Sequence, residues 1–151
     1  MTYCNAILPW AMLSAGRITK ENRYQQIGFE SQQFLESKTF HKGYFKPIGC
    51  QGWFDKGKEP AEFDEQPVEA CETTLAYLEA YANSGNKMYL DKANTCFSWY
   101  YGNNSKNLML IDDETGGCYD GIELDGLNHN QGAESVVSFW MAYLSIKKHV
   151  K

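Results

Sequence analysis

Residues 64–100 read DEQPVEACETTLAYLEAYANSGNKMYLDKANTCFSWY, and this stretch decides the fold. Pro67 suits the first turn of a helix, where its missing N–H is not needed. The apolar spacing then predicts a helix from Pro67 to about Asn83, with Leu75, Leu78 and Tyr81 facing a core. Ser84-Gly85-Asn86 is a turn. A second helix is predicted over Lys87–Tyr101, carrying Tyr89, Leu90, Ala93, Phe97 and Tyr100 and ended by Gly102-Asn103-Asn104-Ser105.

Reading outward, Ala6–Ala15 has helical apolar spacing and Gly16 is placed to stop it. Thr19 is a capping type before a helix at about Glu21–Glu36, with Tyr24, Ile27, Ser31, Phe34 and Leu35 along one side. A fifth helix is predicted over Gln131–Lys148. Two long loops remain, His41–Phe63 and Lys106–Asn130. The first has a strand candidate at Tyr44–Ile48. The second has a hairpin candidate, Leu108–Ile111 with Gly117–Tyr119 across the turn at Asp113–Gly116. The expectation is an all-α chain of about five helices whose long loops carry short β ribbons.

The stretch NHNQGAESVVSFW at 128–140 repeats the opening of the helix at 67. Gln66 and Glu69 recur as Gln131 and Glu134, an offset of 65. Tyr24 and Tyr89, Phe34 and Trp99, Thr19 and Ser84, Ala11 and Ala76, and Ala15 and Ala80 obey the same offset. So do the loop runs Gly52-Trp53-Phe54-Asp55 and Gly117-Cys118-Tyr119-Asp120. The repeat unit is a helix, a turn, a helix and a polar–aromatic loop, and such units stack because one helix pair cannot bury its apolar face alone. The first unit has Cys4 where the others have Glu69 and Glu134.

The 151 residues suffice for one domain with a core, and 43% hydrophobic with 22% charged residues is ordinary for a globular chain. Aromatics reach 15%, enough to fill a core or to line a sugar cleft. A net charge of −5 without a basic stripe argues against nucleic acid. The apolar start is short and interrupted by Asn5 and Pro9, so neither a signal peptide nor a membrane span is expected. Five cysteines at irregular spacing fit free thiols in a reducing, cytoplasmic setting. The three histidines are scattered, and no metal or cofactor is expected.

The runs GCQGWFDKGKEPAEFDEQPVEA (49–70) and DDETGGCYDGIELDGLNHNQGAES (112–135) resemble a bacterial family of α/α-toroid modules found beside group 1, GT-B type, glycosyltransferases. The resemblance runs over most of the chain. It implies the six-hairpin toroid of several glycosidases and sugar epimerases. The chain offers fewer helices than a full toroid needs, so residues 1–151 are expected to be a single domain forming the C-terminal part of a larger one. The resemblance also implies carbohydrate chemistry, with a sugar or oligosaccharide, a glycosyltransferase domain or an upstream toroid half as partners. An incomplete toroid would expose helix faces, and self-association is expected from that.

Glu69 and Glu134 are the first catalytic candidates. Each also suits the third position of a helix, where an acid bonds back to the capping N–H and favours the dipole. On neighbouring helices about 8–10 Å apart, two carboxylates could instead flank a sugar, at about 5–5.5 Å for a retaining glycosidase or about 6.5–9.5 Å for an inverting one. A helix N-terminus should lower the pKa of such a Glu and suit it to a base or nucleophile; Asp64, Asp120 and Asp125 are then the proton-donor candidates. Asp55 and Asp120 also fit plain turn chemistry. Trp53, Phe54 and Tyr119 form either a lid over the bundle or a stacking platform for a sugar. Asn128, Asn130 and Gln131 suit helix capping, or hydroxyl recognition together with Asp64 and Gln66. Trp10, Trp99 and Trp140 read as core. Asp112-Asp113-Glu114 reads as a solvated turn. Three functions follow: a carbohydrate-active module linked to glycosyl transfer, a glycoside hydrolase using paired carboxylates, and a non-catalytic helical scaffold. Epimerisation is disfavoured, since His129 is the only nearby histidine.

Overall fold

The computed structural model describes residues 1–41 and 43–149. Five helices form among them: α1 (Ile7–Thr19), α2 (Asn22–Thr39), α3 (Pro67–Ser84), α4 (Lys87–Ser98) and α5 (Ala133–Lys147). Four short strands pair as two antiparallel hairpins: β1 (Phe40–His41) with β2 (Tyr44–Phe45), and β3 (Gly121–Glu123) with β4 (Gly126–Asn128). The helix count is as expected, but the all-α class is corrected to mixed content. The glycine- and aromatic-rich segments satisfy their backbone groups by pairing. They add isolated bridges at Glu65–Ile122, Tyr101–Met109 and Ile111–Cys118. The expected strand at Tyr44–Ile48 is confined to Tyr44–Phe45. The hairpin placed at Leu108–Tyr119 is reduced to the single bridge Ile111–Cys118, and the paired strands lie just beyond it.

Helix α3 is the centre of the packing, touching α1, α4 and α5; α1 also packs on α2. Among the described residues no ring of helical hairpins is seen, and the expected partial toroid is corrected to a pack of five helices with two β hairpins. Central placement explains why α3 is buried almost all round, with Pro67, Glu69–Leu78 and Ala80 inaccessible. The core gathers Tyr77, Trp99, Tyr100, Leu110, Ile122, Phe139 and Ile146. Burial of each large apolar side chain is worth about 1.5–3 kcal/mol.

The two helical turns share their chemistry at the offset of 65. Thr19 and Ser84 bond back to Ala15 O and Ala80 O, each at 2.8 Å, and accept from the backbone N–H groups of Glu21 and Asn86. Lys20 and Gly85 both occupy the left-handed region, at φ 64° and 68°. Helix α1 runs through Gly16, where a stop was expected. A Cβ at that position would lie 2.5 Å from Gln25 Cγ, so the glycine lets α2 approach α1 closely. Tyr24, Ile27 and Phe34 are exposed, as is Trp140. Trp140 thus departs from its expected core place, and Trp99 alone among the four tryptophans is fully enclosed.

Candidate functional site

The N-terminal ends of α3 and α5 lie beside the segment Met1–Ala6, which joins them. Tyr3 donates its hydroxyl to Glu134 Oε1. Asn5, two residues on, donates its backbone N–H and its side-chain amide to Glu69 Oε1 at 3.4 and 3.3 Å. Two residues span at most roughly 7 Å, so the strap brings its partners into one neighbourhood. Met1 fixes its outer end: its ammonium donates to Phe54 O at 2.8 Å, and Phe54 N–H returns a bond to Met1 O at 2.9 Å. Cys4 lies between Tyr3 and Asn5, and its thiol sits in the field of the Glu72, Glu69 and Glu134 carboxyl groups. The three repeat-equivalent positions Cys4, Glu69 and Glu134 thus meet at one place.

The electrostatics of this place are one-sided. Glu69 is 3% exposed, and burial pushes its carboxyl up to about 7. The bonds from Asn5 and Cys4 pull the other way, and Glu72 adds repulsion. The expected lowering by the helix N-terminus is overturned, because that effect is worth about 0.3–1 kcal/mol and desolvation of a carboxylate costs more. Glu72 is raised by burial and by Glu134, and its Oε2 is buried without a partner. Burial and the facing carboxylates push the Cys4 thiol up to about 12 and that of Cys50 to about 11. Cys50 feels Asp64, Glu69 and Glu134 together. Glu134 itself is exposed. Among the described residues, the ion pairs lie elsewhere, at Arg17–Glu79, Lys46–Glu62, Lys58–Asp55 and Lys92–Glu36.

The capping box expected at α3 does not form. Gln66 is the cap residue but makes no side-chain capping bond; its amide donates to Asp64 Oδ2 at 2.6 Å. The Glu69 side chain faces Asn5 instead. Asp64 is raised by burial, its Oδ1 is buried without a partner, and Asp120 and Glu123 add repulsion. Asp120 holds the head of α5. Its Oδ1 accepts from Gly132 N–H at 2.7 Å and from Ser135 Oγ at 2.6 Å, and Oδ2 accepts from the Asn130 amide. Burial acts upward on Asp120, but these three donors hold it below the usual carboxylate range. Gly132, not Asn128 or Asn130, occupies the cap position. Asn128 donates to Glu123 Oε1 at 3.2 Å. Gln131 binds Asp112 and Thr115, fixing the loop beneath it.

Of the expected aromatic platform, Trp53 is 49% exposed and stands at φ 55°. Phe54 lies under Lys38, and Tyr119 is half-buried against His129. The structure therefore joins Glu69 and Glu134 through the strap, puts Asp64 beside Asp120, and leaves Asn128 and Gln131 to local architecture. Asp125 is exposed on the β3–β4 turn. Tyr3, Asn5, Cys50 and Glu72 were not singled out from the sequence. Glu72 was within reach, since it follows Glu69 by three residues and shares its helix face. Among the described residues no cluster of three His, Cys, Asp or Glu side chains is arranged to hold a metal ion, and no helix is long and apolar enough to cross a membrane.

Searched against protein families, the chain matches no family model, and no curated protein matches it significantly.

Proposed function

We propose that this chain is a carbohydrate-active module that binds a sugar or glycan at the heads of α3 and α5, in connection with glycosyl transfer. The observation that supports it best is the pairing of a buried Glu69, its carboxyl pushed up to about 7, with an accessible Glu134 in one neighbourhood. A carboxyl group poised in this way donates or accepts a proton at neutral pH. Sugar hydroxyls donate and accept equally, and they suit a place rich in carboxyl, amide and phenol groups. Trp53, exposed on the loop that also carries Cys50 and Phe54, supplies a flat face for a pyranose.

The same pairing favours a second reading, hydrolysis by paired carboxylates. Glu69 would protonate the leaving oxygen, and Glu134 would act as base or nucleophile. A cytoplasmic setting accords with the unpaired thiols. Self-association is supported by the exposed stripe Val137, Trp140, Met141 and Leu144 on α5, spaced as one helical face.

The test is calorimetry and thermal shift against monosaccharides, oligosaccharides and nucleotide sugars, comparing wild type with the Glu69→Gln, Glu134→Gln double variant. Binding by wild type that the variant loses while keeping its stability supports the site. If no sugar binds wild type, the proposal fails. Product formation from a bound oligosaccharide would select the hydrolase reading.

A further inference from the structure

A separate recess lies between α2 and α4, with a volume of about 220 Å³. It is lined by Phe29, Gln32, Glu36, Met88, Tyr89 and Lys92 among others. Gln32 is 4% exposed, yet neither its Nε2 nor its Oε1 has a partner. A buried amide left unbonded is costly, so this one calls for a partner that both donates and accepts. The other walls have matching chemistry. Tyr89 stacks on Phe29 with ring centroids 5.6 Å apart and an interplanar angle of 27°. Glu36 and Lys92 form an ion pair, and Tyr77 donates to Glu36 at 3.0 Å. The recess thus gathers a buried amide, an aromatic stack, an acceptor and a donor.

We propose that this recess is a second ligand site, for a single neutral pyranose presenting vicinal hydroxyls. With the Gln32 amide turned into the recess, two adjacent hydroxyls satisfy its donor and acceptor together. Further hydroxyls reach the Glu36 carboxylate and the Lys92 ammonium, which already neutralise each other and so offer no net attraction to an ion. Drug-sized ligands take pockets of about 300–1,000 Å³, so a recess of 220 Å³ holds one ring and not a chain of them. The site is independent of the acidic place at α3 and α5, because it shares no residue with it.

The chain has five methionines, few enough for a methyl-labelled NMR spectrum to follow them one by one. Met88 lines the recess, and Met1 is tied to Phe54 beside the acidic place. Methyl α-D-glucopyranoside and methyl α-D-mannopyranoside are titrated into wild type, Gln32→Leu, and the Glu69→Gln, Glu134→Gln double variant. The expected result is a saturable Met88 shift in wild type and in the double variant, weakened at least about tenfold in Gln32→Leu through the lost amide bonds. Failure of the acidic site alone would leave this Met88 shift in place. Absence of a Met88 shift in wild type with both glycosides overturns the proposal, since the amide then needs only water. So does a Met88 shift that Gln32→Leu leaves unchanged. The wild-type titration requires no variant, and it decides the question even if Gln32→Leu folds poorly.

Discussion

Asn5 contacts the same oxygen of Glu69 twice, through its backbone N–H at 3.4 Å and its side-chain amide at 3.3 Å. Both bonds favour the charged carboxylate, against the burial that raises it. Removing the amide in Asn5→Leu should therefore move the Glu69 pKa above about 7. Carboxyl-carbon NMR titration of wild type and variant reads this directly; an unchanged or lower value would contradict the bonding described.

Glu69 also sets a pH dependence of stability. Its folded pKa, about 7, lies above the ordinary value of 4.5, so between the two the folded state binds more protons than the unfolded chain. The stabilisation is complete below about 4.5 and is lost as pH rises through about 7. Its size is on the order of 3 kcal/mol. Asp64, Glu65 and Glu72 act in the same direction. Asp120, held low, acts oppositely and loses its contribution as pH falls. Urea denaturation at pH 5.5 and pH 8, at about those values, should show wild type weaker at the higher pH and Glu69→Gln much flatter.

Glu65 is fully buried and receives the Trp99 indole N–H at 2.8 Å and the Ser105 hydroxyl. Glu65→Ala strands both donors and opens a cavity. The expected loss is about 3 kcal/mol or more, read as a lower urea midpoint. A loss below about 1 kcal/mol would mean that the pair is not a structural anchor.

Asp120 bonds three groups at the head of α5. Asp120→Ala should cost about 1–2 kcal/mol, the usual value of a lost helix cap, and should increase amide exchange at Gly132 and Ser135. Sugar binding by a variant that remains folded distinguishes this structural duty from the catalytic one expected from sequence.

The α5 stripe predicts concentration-dependent association. Trp140→Glu with Leu144→Glu should give a monomer in analytical ultracentrifugation under conditions where wild type associates. A wild type that stays monomeric into the hundreds of micromolar, roughly the upper range of such measurements, would remove this expectation.

The helices were legible because each leaves a local signature. Pro67 opens α3, Asn86 caps α4 through the Met88 N–H at 3.0 Å, and the turns at Lys20 and Gly85 recur at one offset. Loop pairing was less legible, since the bridge between Glu65 and Ile122 joins residues far apart in sequence and no periodicity announces it. The pair Glu69 and Glu134 was visible as a repeated motif. Its strap was not, because the recognising residues Tyr3 and Asn5 belong to the first repeat, where Cys4 breaks the pattern. The sign of the Glu69 shift was not legible either. Local position predicted a helix-dipole effect, whereas burial, set by the tertiary structure, decided it.

The burial of Trp99 against Glu65 also gives the molecule two optical populations. Trp99 is fully enclosed and Trp10 is half-buried, while Trp53 and Trp140 are 49% and 43% exposed. An external quencher reaches the latter pair first and leaves Trp99, with the shielded part of Trp10, emitting as a reference signal from the interior. A sugar stacking on Trp53 would alter only the accessible fraction. Unfolding would shift the protected one. A single fluorescence experiment therefore separates occupancy of the surface from loss of the core.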